Sequence, residues 1–214
     1  MIVSEFNFPV HMINKIYSTL IFSSLVTISN AVVIFNDADD GNASSDGSAP
    51  TSLNFSLGSN EVLGTVSTNT TIANTRNFYT FSIGAGQFLQ SISLNEISVV
   101  DAAGAVSNDP GFYALVEGST AATPGNGFSN LGGNLFSPSN LNSDLLGSIT
   151  DGGNSGGTGF TTIGEGDYTF VIQQTGDEIS SFTLDFEVAS VPEPSSSALL
   201  GLAAFGFISR RRRS

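Results

Sequence analysis

The sequence contains no cysteine and no tryptophan, and its one histidine is His11. Without cysteine there is no disulfide framework, thiol nucleophile or thiolate metal site, so stability must come from a hydrophobic core or from bound cations. Because His11 is the only imidazole, a serine nucleophile in the rest of the chain lacks its usual general base. The absence of tryptophan also weakens any interpretation as a sugar-cleaving enzyme, whose carboxyl pair usually sits beside aromatic platforms.

Positive charge is also scarce, with 6 Lys and Arg against 19 Asp and Glu in 214 residues. Between residues 32 and 190 only Arg76 is basic and seventeen residues are acidic, a formal charge of about −16. Such a surface repels phosphate backbones, so nucleic acid is excluded as a partner. It also disfavours anionic lipid. Divalent cations or neutral polysaccharide are more compatible partners.

The beginning of the chain has the pattern of a secretory signal peptide. Lys15 precedes an apolar run over residues 16–28, and Ser29-Asn30-Ala31 has the small-x-small form of a signal-peptidase site. This pattern predicts a signal over residues 1–31, cleaved after Ala31 by signal peptidase. Met12 is an alternative start, because residues 1–11 carry Glu5 and no Lys or Arg.

The end of the chain combines three physically distinct zones. Pro192 and Pro194 keep the chain out of regular structure. Residues 198–208 are apolar or small and predict a short transmembrane helix of roughly 17–21 Å. Four arginines then form a predicted stop-transfer signal that stays on the cytoplasmic side: Arg210, Arg211, Arg212 and Arg213.

This tail resembles the PEP-CTERM sorting signal of Gram-negative bacteria over residues 191–214. The resemblance implies that Pro192, Glu193 and Pro194 are recognised by exosortase, a membrane-embedded cysteine protease that removes the tail. It further implies an exported protein, held transiently in the inner membrane and then delivered to the cell envelope, the outer surface or the extracellular matrix. The alternative is an ordinary C-terminal membrane anchor.

The part between these termini is predicted to be an acidic flexible segment over residues 32–50 followed by one domain over 51–190. Apolar residues alternate with polar ones, which predicts strands near residues 53–58, 61–67, 76–83, 88–100, 112–116, 145–149, 168–172 and 182–188. Short strands between Gly- and Asn-rich turns indicate an all-β protein, an antiparallel β-sandwich or jelly roll. The predicted signal helix and the short C-terminal transmembrane helix flank it.

The aromatic strand patterns of this domain look like the pre-peptidase C-terminal type of bacterial sandwich. The segments that carry this resemblance are residues 64–66, 78–81, 166–170 and 182–186. They cover about half of the domain.

Two motifs suggest catalysis. Residues 153–157 look like the nucleophile loop of trypsin-like proteases, but Ser155 has no base, so the motif is interpreted as a glycine-rich turn. Paired carboxylates occur at Asp185 with Glu187 and at Glu165 with Asp167. Neighbouring acids on one strand are better explained as a solvated face, so we expect no enzyme.

Cation binding has two weak candidates. Asp37, Asp39 and Asp40 supply carboxylates of the kind that calcium prefers, but the segment fails the EF-hand register, and a mobile acidic linker is the alternative. Loop sites are a second option, with Asp109, Asp151, Asp177 and Glu178 as their ligands. No cofactor is predicted, and calcium at these places is the alternative.

The sequence therefore favours a non-enzymatic exported β-sandwich with a structural or adhesive role in exopolysaccharide or biofilm. The alternative is a carbohydrate-binding module on the same fold, in which Tyr79, Tyr113 or Tyr168 holds sugar. A secreted hydrolase is the third hypothesis.

Overall fold

The structure is a computed structural model and describes residues 30–69, 71–121, 132–149 and 162–191. The described chain contains nine β-strands, one four-residue α-helix and one 3-10 turn at Pro138–Asn140. The strands are β1 (Val32–Asn36), β2 (Thr51–Ser52), β3 (Gly58–Ser67), β4 (Arg76–Ile83), β5 (Gln87–Val100), β6 (Gly111–Glu117), β7 (Gly132–Phe136), β8 (Gly166–Gln174) and β9 (Ile179–Ser190). The helix, α1, is Asp37–Asp40.

The strands form two sheets. The four-stranded sheet has the order β1-β3-β9-β5 and the five-stranded sheet the order β2-β4-β8-β6-β7. The expectation of an all-β fold is confirmed, but strict antiparallel pairing is wrong at two edges, because β1 runs parallel to β3 and β2 runs parallel to β4. The two strands of each parallel pair are joined by a long connection, over residues 37–57 for β1 and β3 and over residues 53–75 for β2 and β4, as parallel pairing requires.

The two sheets pack face to face around one hydrophobic core. Phe186 of β9 lies edge-on to Phe170 of β8, with ring centroids 5.6 Å apart, and 5.7 Å from Phe81 of β4. Phe55 completes the cluster at 5.1 Å from Phe186. The alternation in β4, β8 and β9 therefore predicts their inward faces correctly, since alternate residues of a strand point to opposite sides.

A second, smaller apolar cluster lies on the outer face of the five-stranded sheet. Phe78 and Val171 are buried there together with Val116 and Ala121. The chain around residues 43–50 covers them: Phe78 donates its backbone N–H to the Ser44 carbonyl, and Ala121 donates to the Gly47 carbonyl. Burying Phe78 on the face opposite Tyr79 requires such a cover, because a five-stranded sheet has only one face toward the main core.

The sequence predicts an acidic flexible segment over residues 32–50, and the structure contains secondary structure and backbone hydrogen bonds in this range. These residues form β1, α1 and the cover over Phe78. Their polar composition shows no apolar alternation, so this pattern gives no sign of a strand. Backbone pairing with β3 and side-chain capping hold these residues in place.

Two strand predictions also need correction. Residues 145–149 form turns, with Leu145 donating its N–H to the Ile92 carbonyl, so this segment covers the open edge of β5 instead of forming a strand. Residues 53–58 are mostly irregular, and only Thr51–Ser52 pairs, with β4. The glycine-rich β7 (Gly132–Phe136) shows no alternation and, like β1 and β2, is not among the predicted strands.

The two predicted flanking helices lie outside the described residues. The signal helix is predicted within residues 1–29 and the C-terminal membrane helix within residues 192–214, and the structure describes neither range. Within the part of the chain that the structure describes, no helix has both the length and the apolar character needed to cross a membrane.

Candidate functional site

The outer face of the four-stranded sheet carries a groove of about 500 Å³, which we call the outer groove. It runs between α1 on one side and β5 on the other. Half of its twelve lining residues carry a hydroxyl or carboxylate side chain, and most of the others are apolar or glycine: Asn36, Asp37, Ala38, Leu63, Gly64, Thr65, Glu96, Ile97, Ser98, Ser181, Phe182 and Thr183.

Cross-strand pairs organise the polar side chains of the outer groove. Thr65 and Ser181 are opposite each other in β3 and β9, and their hydroxyls lie 3.2 Å apart. Thr183 donates its hydroxyl to Glu96 Oε2 at 3.2 Å. Glu96, Ser98 and Ser181 are exposed. The groove therefore offers hydrogen-bond donors and acceptors on a surface without exposed aromatic rings.

Asp37 forms the wall of this groove and is held by the backbone. Its Oδ2 accepts the N–H of Thr65 at 2.6 Å, and its Oδ1 accepts the N–H of Ala43 at 3.3 Å. Burial raises the pKa of Asp37 above its ordinary value, while these two N–H groups act in the opposite direction. Asp37 therefore works as a cap on β3, where the parallel pairing with β1 ends.

The calcium candidates do not converge. Asp39 accepts the Asn36 side-chain amide and Asp40 accepts the Asn36 backbone N–H, whereas Asp37 faces β3. Among the described residues, no group of three or more Asp, Glu, His or Cys side chains is arranged to hold a metal ion. Local capping at the end of β1 accounts for this acidic cluster.

The second set of loop acids is partly brought together. Glu178 is almost fully buried, and a hydrogen bond with the Asp109 carboxyl is the main reason that its pKa is raised, followed by burial and by the charges of Asp109 and Asp177. Ser107 also donates its hydroxyl toward Glu178 Oε1, at 3.5 Å. Asp151, the fourth candidate, lies outside the described residues.

Asp185 and Glu187 lie on the outer face of β9, as the alternation predicts, but each is only partly exposed. Asp185 accepts the Ser59 hydroxyl at 2.6 Å and the Asn60 N–H at 3.1 Å. Burial raises the pKa of Glu187, and the charge of Asp185 adds to this effect. The two acids are neighbours along one strand and do not face each other across a cleft.

The other catalytic candidates are also unassembled. Glu165 and Asp167 are exposed, and Asp167 accepts the Ser82 hydroxyl at 2.5 Å. Ser155 lies outside the described residues.

The three tyrosines suggested as sugar platforms are core residues, so this assignment is wrong. Tyr79 and Tyr113 are 0% exposed and Tyr168 is 8% exposed. Tyr113 donates its hydroxyl to the Leu145 carbonyl and Tyr168 donates to the Gly164 carbonyl, each at 3.0 Å. Burial raises the pKa of all three phenols. A buried ring cannot stack on a sugar. An aromatic residue that alternates with polar ones in a strand is more often part of the core than of a binding site.

The last described residues form the junction with the C-terminal tail. β9 ends at Ser190, and Val191 donates its N–H to the Gly86 carbonyl at 2.8 Å in the turn between β4 and β5. Val191 is 53% exposed. Residues 190–213 match the family model described as the PEP-CTERM protein-sorting motif. The chain carries a PEP-CTERM sorting motif.

This sorting motif begins at Ser190, the last residue of β9. Because PEP-CTERM tails are recognised by exosortase, the chain is an exported protein that is sorted to the cell envelope. Its Pro192, Glu193 and Pro194 and its four arginines fall within the match and outside the described residues. Ala31, the predicted cleavage residue, is exposed immediately before β1. Neither the curated proteins nor the solved structures contain a significant match to the chain.

Proposed function

We propose that this protein is a non-enzymatic component of the cell surface or extracellular matrix of a Gram-negative bacterium, with a structural or adhesive role in exopolysaccharide. The observation that carries the proposal is the direct attachment of the PEP-CTERM motif to the last strand of a two-sheet body. A single sorting signal attached to a single folded body is what we expect of a protein that is exported and delivered to the cell surface. The signal peptide over residues 1–31 and the short membrane helix over 198–208 belong to the same proposal.

The candidate acids and tyrosines support a role without catalysis. Glycoside hydrolysis needs two carboxyl groups across a cleft, about 5–10 Å apart. Asp185 and Glu187 instead share one strand face, and Glu165 is exposed at a turn. We therefore assign the carboxylates to solubility and local capping.

Contact with neutral polysaccharide is assigned to the outer groove. Its exposed Ser98, Ser181 and Glu96 present hydroxyl and carboxylate groups that match sugar hydroxyls. Without aromatic stacking, each contact is a hydrogen bond exchanged with water and contributes about 1 kcal/mol. Affinity for a long polysaccharide then comes from many weak contacts on many copies of the protein.

The first test is the intact mass of the exported protein from cells with and without exosortase. We expect a mature form that starts near Val32 and ends close to Pro192, Glu193 and Pro194 only when the enzyme is present. A mass that retains residues 198–214 in both strains would make the tail a plain membrane anchor.

The second test is sedimentation of the purified body with the polysaccharide of its own cells. Combined Ser98→Ala, Ser181→Ala and Glu96→Gln changes should reduce the bound fraction several-fold. The matched control removes Ser52 and Ser119, which line a different groove of about 390 Å³ on the other sheet. A loss of binding in the control but not in the outer groove would place the contact on the five-stranded sheet.

A further inference from the structure

Both ends of the described chain leave the sandwich at the same end. Val32 at the start of β1 is in register with Asn60 of β3, which is in register with Phe186 of β9. β9 runs antiparallel to β1, so beyond Phe186 it continues to Ser190 and the tail at the end of the sandwich where β1 begins. Since only β3 separates β1 from β9, their axes lie about 10 Å apart. We call this end the near end and define it by Val32, residues 84–87, Gly166 and Val191. We call the opposite end the far end and define it by residues 101–109 and 175–178.

We propose that the sandwich stands upright on the membrane while its tail is embedded, with the near end facing the lipid surface and the far end pointing away. This inference rests on the proposed membrane insertion of residues 198–208. Only residues 192–197 separate that segment from Val191. Six residues span at most about 20 Å when fully extended, so the near end is held within about 20 Å of the lipid.

The length of β9 sets the position of the far end. β9 contains 12 residues and runs from the far end to the near end without interruption. At about 3.3 Å per residue it is about 40 Å long. An upright body therefore holds the far end about 40 Å further from the lipid than the near end, whereas a body on its side holds both ends at a similar height.

Charge disfavours the body lying on its four-stranded sheet. The outer face of that sheet carries Glu61, Glu96, Asp185 and Glu187. Arg76, the one basic residue between 32 and 190, is on β4 of the other sheet. Anionic lipid repels such a face.

The far end is equally unsuited to lipid, because it carries Asp101, Asp109 and Asp177. The near end exposes the apolar residues Val32, Leu57 and Val191 together with the acids Glu117, Glu165 and Asp167. Because apolar and acidic side chains are both exposed there, the near end lies at the lipid surface rather than inside the bilayer. The connection to the N-terminal segment at the same end, through Ala31, adds a second tether before cleavage.

The absence of cysteine makes this orientation directly measurable with single-cysteine variants. Ala85→Cys places a thiol at the exposed near-end turn, and Ala103→Cys places one at the exposed far-end turn. Each full-length variant carries a donor fluorophore and is reconstituted in vesicles of phosphatidylethanolamine and phosphatidylglycerol with an acceptor on the lipid headgroups. We expect energy transfer from position 85 to exceed that from position 103 several-fold. Equal transfer from both positions in a vesicle-bound protein would overturn the upright orientation.

Flotation of the same vesicles tests the underlying tether separately. The full chain should float with the vesicles, and a chain that lacks residues 198–214 should lose most of this binding. Equal binding of the two chains would refute membrane insertion of the tail, and the orientation with it. That result differs from equal energy transfer in a protein that does float through its tail.

Discussion

The carboxylate of Asp37 accepts the backbone N–H of Thr65 at 2.6 Å and so attaches the helix after β1 to the C-terminal part of β3. β1 and β3 pair in parallel only as far as Asn36 and Leu63. Two residues further on, the N–H of Thr65 points to an edge beside which no strand of the described chain lies. Asp37 replaces the missing strand, which explains why an acidic stretch is ordered at the edge of a strongly acidic protein.

Asp37→Ala should lower the free energy of unfolding by about 1–3 kcal/mol, because a partly buried N–H loses its acceptor. Urea denaturation of the body measures this loss. Asp39→Ala is the matched control, since it removes the same charge from an exposed position two residues away and should change stability by less than about 0.5 kcal/mol. Equal effects of the two substitutions would show that charge rather than capping matters here.

Gly64→Ala should destabilise the body by about 1–3 kcal/mol through overpacking. A Cβ at Gly64 would lie 2.7 Å from Phe182 Cζ and 2.8 Å from Tyr79 Oη, and both rings are buried in the core. Gly164→Ala is the control, because a Cβ there meets no atom within 4 Å and its φ is not left-handed. That substitution should be neutral or stabilise by about 0.4–1 kcal/mol. A harmless Gly64→Ala would mean that the sheets separate there more easily than the packing indicates.

The strands with clear alternation could be predicted from the sequence, and β4, with Tyr79, Phe81 and Ile83 facing inward, has the bounds that the pattern indicates. This works because a strand with one face on the core must place its apolar residues at every second position. β1 and β7 could not be predicted. β1 is held mainly by edge pairing and capping, and β7 contains two glycines and pairs only with β6.

The site was harder to predict than the fold. A tyrosine in an alternating strand has the same pattern whether its ring meets the core or a ligand, and Tyr79, Tyr113 and Tyr168 all meet the core. The outer groove is formed by residues from β3, β5, β9 and α1, which only the register of three strands brings together. The sorting motif, by contrast, is a continuous segment of sequence and was recognised from its residues alone.

Tyr113→Phe should destabilise the body by about 1 kcal/mol, because the buried Leu145 carbonyl loses its hydrogen bond. Amide exchange at Leu145, whose N–H donates to the Ile92 carbonyl, should become faster as the cover over the β5 edge loosens. Polysaccharide binding should not change. Normal stability with lost binding would restore Tyr113 as a sugar contact.

The pair formed by Glu178 and Asp109 should make the stability of the far end depend on pH. Hydrogen bonding with Asp109 and burial raise the pKa of Glu178 above its ordinary value of 4.5. The folded state therefore binds this proton more tightly than the unfolded state does. The stabilising contribution is complete below pH 4.5 and is lost as the pH rises through the folded pKa. At neutral pH the ionised Glu178 faces Asp109 and Asp177, and no Lys lies anywhere between residues 32 and 190.

Glu178→Gln should consequently raise the melting temperature at pH 7, since the neutral amide keeps the size of the side chain and can still bond to Asp109. The advantage over the wild type should shrink as the pH falls toward 4.5, where Glu178 is itself protonated. Thermal unfolding of both proteins between pH 4 and pH 7 measures the difference and cancels the titration of the other carboxylates. Glu165→Gln removes one charge from an exposed near-end position and provides the baseline for a simple change in net charge. A Glu178→Gln protein that melts below the wild type at pH 7 would mean that the ionised carboxylate is held by a favourable partner, and a bound cation would then be the group to look for.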